Sequence, residues 1–133
     1  MIGIVCENEL KSDIEYKWKI KILNSKNNRI NVGVTTIDFD FNLEDPYKYG
    51  WYFYCRDSTF YSGPPNNYNG KKTKLKKPKN EIDISLNIQK RILKFKIDKE
   101  DEEDFYTDIP IDKPIVPIVT LYNKDDSVEI ITN

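Results

Sequence analysis

The chain has 133 residues, 32% of them charged and 13% aromatic, with a formal net charge of −1 and no histidine. That length predicts one domain, residues 1–133, able to bury a core without covalent staples. The near-zero charge gives no global pull toward nucleic acid or a membrane surface, and the missing histidine removes the commonest general base and metal ligand. The two cysteines, Cys6 and Cys55, stand far apart, which excludes a disulfide framework and a Cys-type zinc site.

In chain order, Ile2 to Cys6 is a short apolar segment that predicts an edge strand. Tyr16, Trp18, Ile20 and Ile22 then alternate with Lys17, Lys19 and Lys21, the period of two expected of a strand with one buried face. Residues 24–28 are a polar turn. Ile30, Val32 and Val34 form the returning strand, with Gly33 inside it where a bulky neighbour is expected against the backbone. Ile37, Phe39 and Phe41 continue the alternation, and residues 42–50 read as a loop carrying Tyr47 and Tyr49. Trp51, Phe53 and Cys55 give another strand, with Phe60-Tyr61-Ser62 as its short partner. Residues 63–80, rich in Gly, Pro, Asn and Lys, read as one long loop.

A central hairpin follows. Ile82, Ile84 and Leu86 alternate with polar residues, residues 87–90 reverse the chain, and Leu93, Phe95 and Ile97 return. Residues 99–104 read as an acidic loop, 105–109 as a short strand and 110–114 as a linker. The run Ile115-Val116-Pro117-Ile118-Val119-Thr120-Leu121 is apolar almost throughout, as expected of a strand covered on both faces. Pro114 and Pro117 lack the N–H that a ladder needs, so this strand should start at an edge or a bulge. Val128 and Ile130 mark a last strand. No stretch shows a helical stripe. Short strands punctuated by turns predict an all-β sandwich or barrel, with Trp18, Trp51, Phe53 and Phe95 as core anchors.

Several groups carry residue types that catalysis or binding uses. Asp38 and Asp40 share one strand face, as paired carboxylates of some sandwich glycosidases do, but a solvated face accounts for them. The stretch from Asp38 to Glu44 opens like a calcium loop, yet Leu43 and Tyr49 stand where that loop needs Gly and Glu. Lys71, Lys72, Lys74, Lys76, Lys77 and Lys79 make a basic run without arginine, read as a solvated loop. The acidic run from Asp98 to Asp104 is able to neutralise part of it. Tyr47, Tyr49, Tyr61, Tyr68 and Tyr122 fall at or near loops, where tyrosine offers large contact area at small entropic cost.

Six segments together resemble a SPRY domain, the core of the B30.2 family. They are Tyr16 to Ile22 around Trp18, Ile30-Asn31-Val32-Gly33-Val34, Trp51-Tyr52-Phe53, Glu81 to Asn87, Leu93 to Asp98, and Ile109 to Leu121 with Pro117. The chain departs from the family pattern at Asn80-Glu81, where Gly-Asp is usual, and at Asp98-Lys99, where Asn-Gly is usual. With no separate PRY segment ahead of the first motif, the expectation is a SPRY core rather than a full B30.2 module. The resemblance implies a bent sandwich of two antiparallel sheets (concanavalin A-like jelly roll). It also implies a non-catalytic module that binds a peptide or protein surface through loops at one end. It points to Tyr47 and Tyr49 in the loop after the Gly33 strand, and to Tyr122 and Asn123 after the Pro117 strand. No cofactor, metal, nucleic acid or membrane is expected. The expected setting is intracellular (cytoplasmic), with the domain monomeric, alone or within a larger multidomain chain. A carbohydrate-binding lectin-like sandwich is the alternative, and a glycan-cleaving enzyme using Asp38 and Asp40 a more distant one.

Overall fold

A computed structural model describes residues 2–5, 15–36, 50–100, 103–110 and 112–132. Among these there are eleven strands and no helix. In chain order they are β1 (Ile2–Val5), β2 (Glu15–Asn24), β3 (Ile30–Thr36), β4 (Gly50–Tyr54), β5 (Thr59–Ser62), β6 (Asn69–Lys72), β7 (Glu81–Asn87), β8 (Ile92–Ile97), β9 (Glu103–Tyr106), β10 (Ile115–Leu121) and β11 (Ser127–Thr132). Every strand pairing among the described residues is antiparallel, in two sheets. One has six strands in the order β1-β10-β3-β4-β5-β6, the other five in the order β11-β2-β7-β8-β9. The all-β sandwich expected from the alternating strands is the observed fold.

The core lies between the sheets. Trp18, Ile20, Ile82, Ile84, Leu86, Leu93, Phe95 and Ile97 come from the five-stranded sheet, and Val32, Val34, Trp51, Phe53, Phe60, Ile115 and Val119 from the six-stranded one. Alternation puts these side chains on one face of each strand, because successive residues point to opposite sides. Phe53, Phe60 and Phe95 meet at its centre, with ring centroids 5.6–5.8 Å apart. All four expected anchors are buried.

Tyr106 buckles the two sheets. It sits on the edge strand β9 yet is fully buried, stacked 4.5 Å from Phe60. Its hydroxyl donates across the sandwich to the carbonyl oxygens of Tyr52 at 2.6 Å and Tyr61 at 3.0 Å.

β10 is buried along its whole length. Its inward side chains join the core, while Val116 and Ile118 are buried on the opposite face, as is Tyr52 of β4. The six-stranded sheet is thus covered on part of its outer face, as the unbroken apolar run predicts. The described β1–β10 pairing runs from Leu121 to Ile118, and Pro117 faces Val34 of β3. Gly33 lies so close to the backbone of Trp51 and Tyr52 that a Cβ would overlap the Trp51 carbonyl.

Three readings need correction. Residues 63–80 are not a single loop, because β6 pairs with β5 within them. That strand is Asn-Gly-Lys-Lys with no buried side chain; backbone pairing at a sheet edge holds it, and no hydrophobic alternation announces it. The strand expected at 105–109 is β9 at Glu103–Tyr106, and Ile109 is buried beyond its end. Gly50, placed in a loop, is the first residue of β4. The expected strand through Ile37, Phe39 and Phe41 lies outside the described residues, as do Asp38, Asp40 and Cys6.

Candidate functional site

The topology gathers five connections at one end of the sandwich. They are residues 25–29, 55–58, 73–80, 98–100 and 122–126, beside the strand ends that pair there. Two carboxylates organise this end. Asp98 accepts the backbone N–H groups of Lys79 at 2.8 Å, Asn80 at 2.8 Å and Glu81 at 2.9 Å. Partial burial pushes its pKa up, but those three N–H groups and the nearby Lys79 charge outweigh that and hold it below the ordinary value. Asp98 and Lys99 both adopt positive φ, 51° and 63°, the backbone of an Asn-Gly hairpin turn built from other residues. Lys76 meets Glu100 at 2.9 Å, so the basic and acidic loops do touch.

Asp126 does the same for the neighbouring connections. It is buried and accepts Lys26 N–H at 3.1 Å and Asn123 Nδ2 at 3.1 Å. Asn123 Nδ2 also reaches Asn27 Oδ1 at 2.5 Å. Asn123 therefore fastens one loop to another.

Beside these fixed loops, the outer face of the six-stranded sheet carries a row of aromatic side chains. Tyr61 of β5 and Tyr54 of β4 meet edge to face at 6.2 Å, and Tyr54 meets Tyr122 at 6.1 Å. Arg29 lies with its guanidinium carbon 5.3 Å from the Tyr122 ring centroid, and its Nε approaches Tyr54 Oη at 3.4 Å. Beneath them the buried Asn31 donates from Nδ2 to Tyr122 Oη at 3.0 Å. Tyr54, Tyr61, Tyr122 and Arg29 are each half-buried, so their edges and faces are open while their orientations are set from below.

Of the expected site residues, Tyr122 and Asn123 are at this end. Tyr47 and Tyr49 lie outside the described residues. Thr36 and Gly50, between which they fall in the chain, stand at the far end of β3 from Arg29. Tyr68 packs on Tyr106 at 5.4 Å and belongs to the core margin. Arg29 and Tyr54 were not expected at the site, whereas Tyr61 lies on β5, the short strand expected at residues 60–62. The available signal was Trp51-Tyr52-Phe53-Tyr54, an aromatic strand on both faces, which implies that the outer face is also used.

No cluster of three or more metal-ligating side chains occurs among the described residues. Burial pushes the Cys55 thiol far up, which keeps it protonated and unreactive.

The SPRY family model matches residues 15–133. The chain belongs to the SPRY family. Solved SPRY structures share the fold. The SPRY domain of human HERC1 superposes with a TM-score of 0.76 at 16% identity, covering 98% of this chain and 80% of that one. The TRIM65 PSpry domain gives 0.68 at 11% identity, covering 98% and 70%. A human SPRY domain gives 0.66 at 13% identity, covering 97% and 82%. No curated protein matches the chain. SPRY domains serve generally as protein-interaction modules rather than enzymes. The Trp18, Gly33 and Pro117 segments that carried the resemblance are β2, β3 and β10 of this SPRY fold.

Proposed function

We propose that this SPRY domain binds a peptide or protein surface through Arg29, Tyr54, Tyr61 and Tyr122, with Asn123 shaping the rim. The observation that supports this is the half-exposed row of three tyrosines and one arginine, held from beneath by Asn31 and flanked by the loops that Asp98 and Asp126 fix. Tyrosine and arginine are the residue types that carry most energy at protein interfaces. A site whose side chains are already oriented loses little entropy on binding. Tyr47 and Tyr49 are kept as expected contributors from the connection that carries them.

The test is to pan a displayed random peptide library against the native domain and against a Tyr61→Ser/Tyr122→Ser variant with an unchanged strand spectrum. Peptides retained by the native domain and lost by the variant support the site. Peptides that bind both equally refute it. Release of captured material by free sugars would replace this reading with a lectin-like one. Tyr47→Ser/Tyr49→Ser is a separate arm, expected to weaken binding further.

A further inference from the structure

The lysine run is not a loose loop. Residues 73–80 carry the chain from β6, at the edge of one sheet, to β7, in the middle of the other. Leu75 joins the core and Pro78 is buried. Thr73 N–H donates to the Ser58 carbonyl oxygen at 3.0 Å, Leu75 N–H to Thr73 Oγ1 at 3.0 Å, and Asn28 Nδ2 to the Pro78 carbonyl oxygen at 3.3 Å. Asp98 accepts the Lys79 N–H. The segment is fastened along its length, so Lys72, Lys74, Lys76, Lys77 and Lys79 stand exposed on a fixed backbone. The Thr73–Ser58 bond brings the turn at 55–58 alongside, and that turn adds the exposed Arg56.

Lys76 is matched by Glu100 at 2.9 Å, and the Lys79 charge lies near Asp98. Arg56, Lys71, Lys72, Lys74 and Lys77 remain, with Asp57 the one carboxylate on these two segments. Among the described residues none of these five cations makes an ion pair. The chemistry then selects among polyanions. Lysine is a compact point charge that suits phosphate oxygens, whereas a carboxylate is best met by the two-pronged fork of arginine. Single-stranded nucleic acid needs open aromatic faces, but the Tyr68 ring is capped by Lys71 Nζ at 4.3 Å and packed on Tyr106. An anionic membrane is gripped by apolar groups as well as by charge, and here Leu75 and Pro78 are buried. A nucleic-acid duplex needs only the cations, because it presents a dense line of phosphates.

We propose that Arg56, Lys72, Lys74 and Lys77 form a second binding surface, which holds the phosphate backbone of a nucleic-acid duplex without reading its sequence. This surface is independent of the Tyr122 cluster. The test follows the fluorescence anisotropy of a fluorescein-labelled DNA duplex of random sequence across a salt series. The native domain is compared with Lys72→Ser/Lys74→Ser, with Tyr61→Ser/Tyr122→Ser, and with Lys17→Ser/Lys90→Ser. The last makes the same charge change at the opposite end of the sandwich. All of the substituted lysines are exposed, and folding is checked by thermal melts. Four phosphate contacts predict a slope of about −3.6 for log affinity against log salt. The Lys72/Lys74 variant should bind at least about tenfold more weakly at low salt, with a slope of about −1.8, and the other two should match the native domain. No binding by the native domain, equal binding by all four proteins, or an equal loss in the Lys17/Lys90 variant overturns the proposal. So does tighter binding of oligothymidylate, hexaglutamate or phosphatidylserine vesicles than of the duplex.

Discussion

Replacing Tyr106 with Phe removes one oxygen and leaves the stacked ring in place. The native hydroxyl is fully buried and joins β9 of one sheet to the carbonyl oxygens of Tyr52 and Tyr61 in the other, at 2.6 and 3.0 Å. Losing a hydrogen bond in the interior, with acceptors left short of a donor, costs about 1.5–2 kcal/mol. An unfolding entropy of about 2.1 cal/mol/K per residue gives roughly 0.28 kcal/mol/K for this chain. The melting temperature should therefore fall by about 5–7 °C. Differential scanning calorimetry checks this, with Tyr68→Phe as the control. Among the described residues the Tyr68 hydroxyl meets the exposed Lys71 amine, at 3.1 Å, so its loss should cost under about 0.5 kcal/mol. A Tyr106→Phe shift under about 2 °C would refute the hydroxyl as a link between the sheets.

Gly33→Ala should destabilise by about 2–3 kcal/mol in urea unfolding, because its Cβ would overlap the Trp51 backbone; a loss under about 0.5 kcal/mol contradicts that packing. Asp98→Asn should act through pH. The Asp98 carboxyl titrates lower folded than unfolded, so its contribution is whole at neutral pH and fades as pH drops through the ordinary carboxylate value near about 4 toward the lowered one. The variant should lose stability at pH 7 yet lie close to the native protein at the acid end, and parallel curves would count against the assignment. Lys99→Gly relieves a left-handed backbone at φ 63°, a strain of about 1–2 kcal/mol offset by about 0.5–1 kcal/mol of glycine entropy. Its contact with Glu81 at 3.6 Å is exposed on the lysine side and worth little. The melting temperature should rise by about 2–3 °C, and a fall would show that the lysine contact matters more.

Strands that bury one face were legible because alternation is a direct consequence of burial. β2, β7 and β8 read cleanly from their lysines and isoleucines, and β10 from its apolar run and the placement of Pro117. β6 was invisible because its four residues bury nothing. The site was half legible. Tyr122 follows a strand whose end the run of residues marks. Tyr54 and Tyr61 meet through the β4-β5 hairpin, but Arg29 and Tyr122 join them only through the β10-β3-β4 order, which no local pattern encodes. The same holds for Asp98, whose three N–H partners lie 17–19 residues upstream.

The central claim is that Arg29, Tyr61 and Tyr122 hold a protein partner. The most direct measurement is affinity capture from lysate of the source cells, read by mass spectrometry. The native domain would be run beside an Arg29→Ser/Tyr61→Ser/Tyr122→Ser variant of matched melting behaviour and beside Lys72→Ser/Lys74→Ser. The account predicts a partner retained by the native and lysine-loop proteins and lost by the triple variant. Equal recovery of the same partner by all three would contradict it.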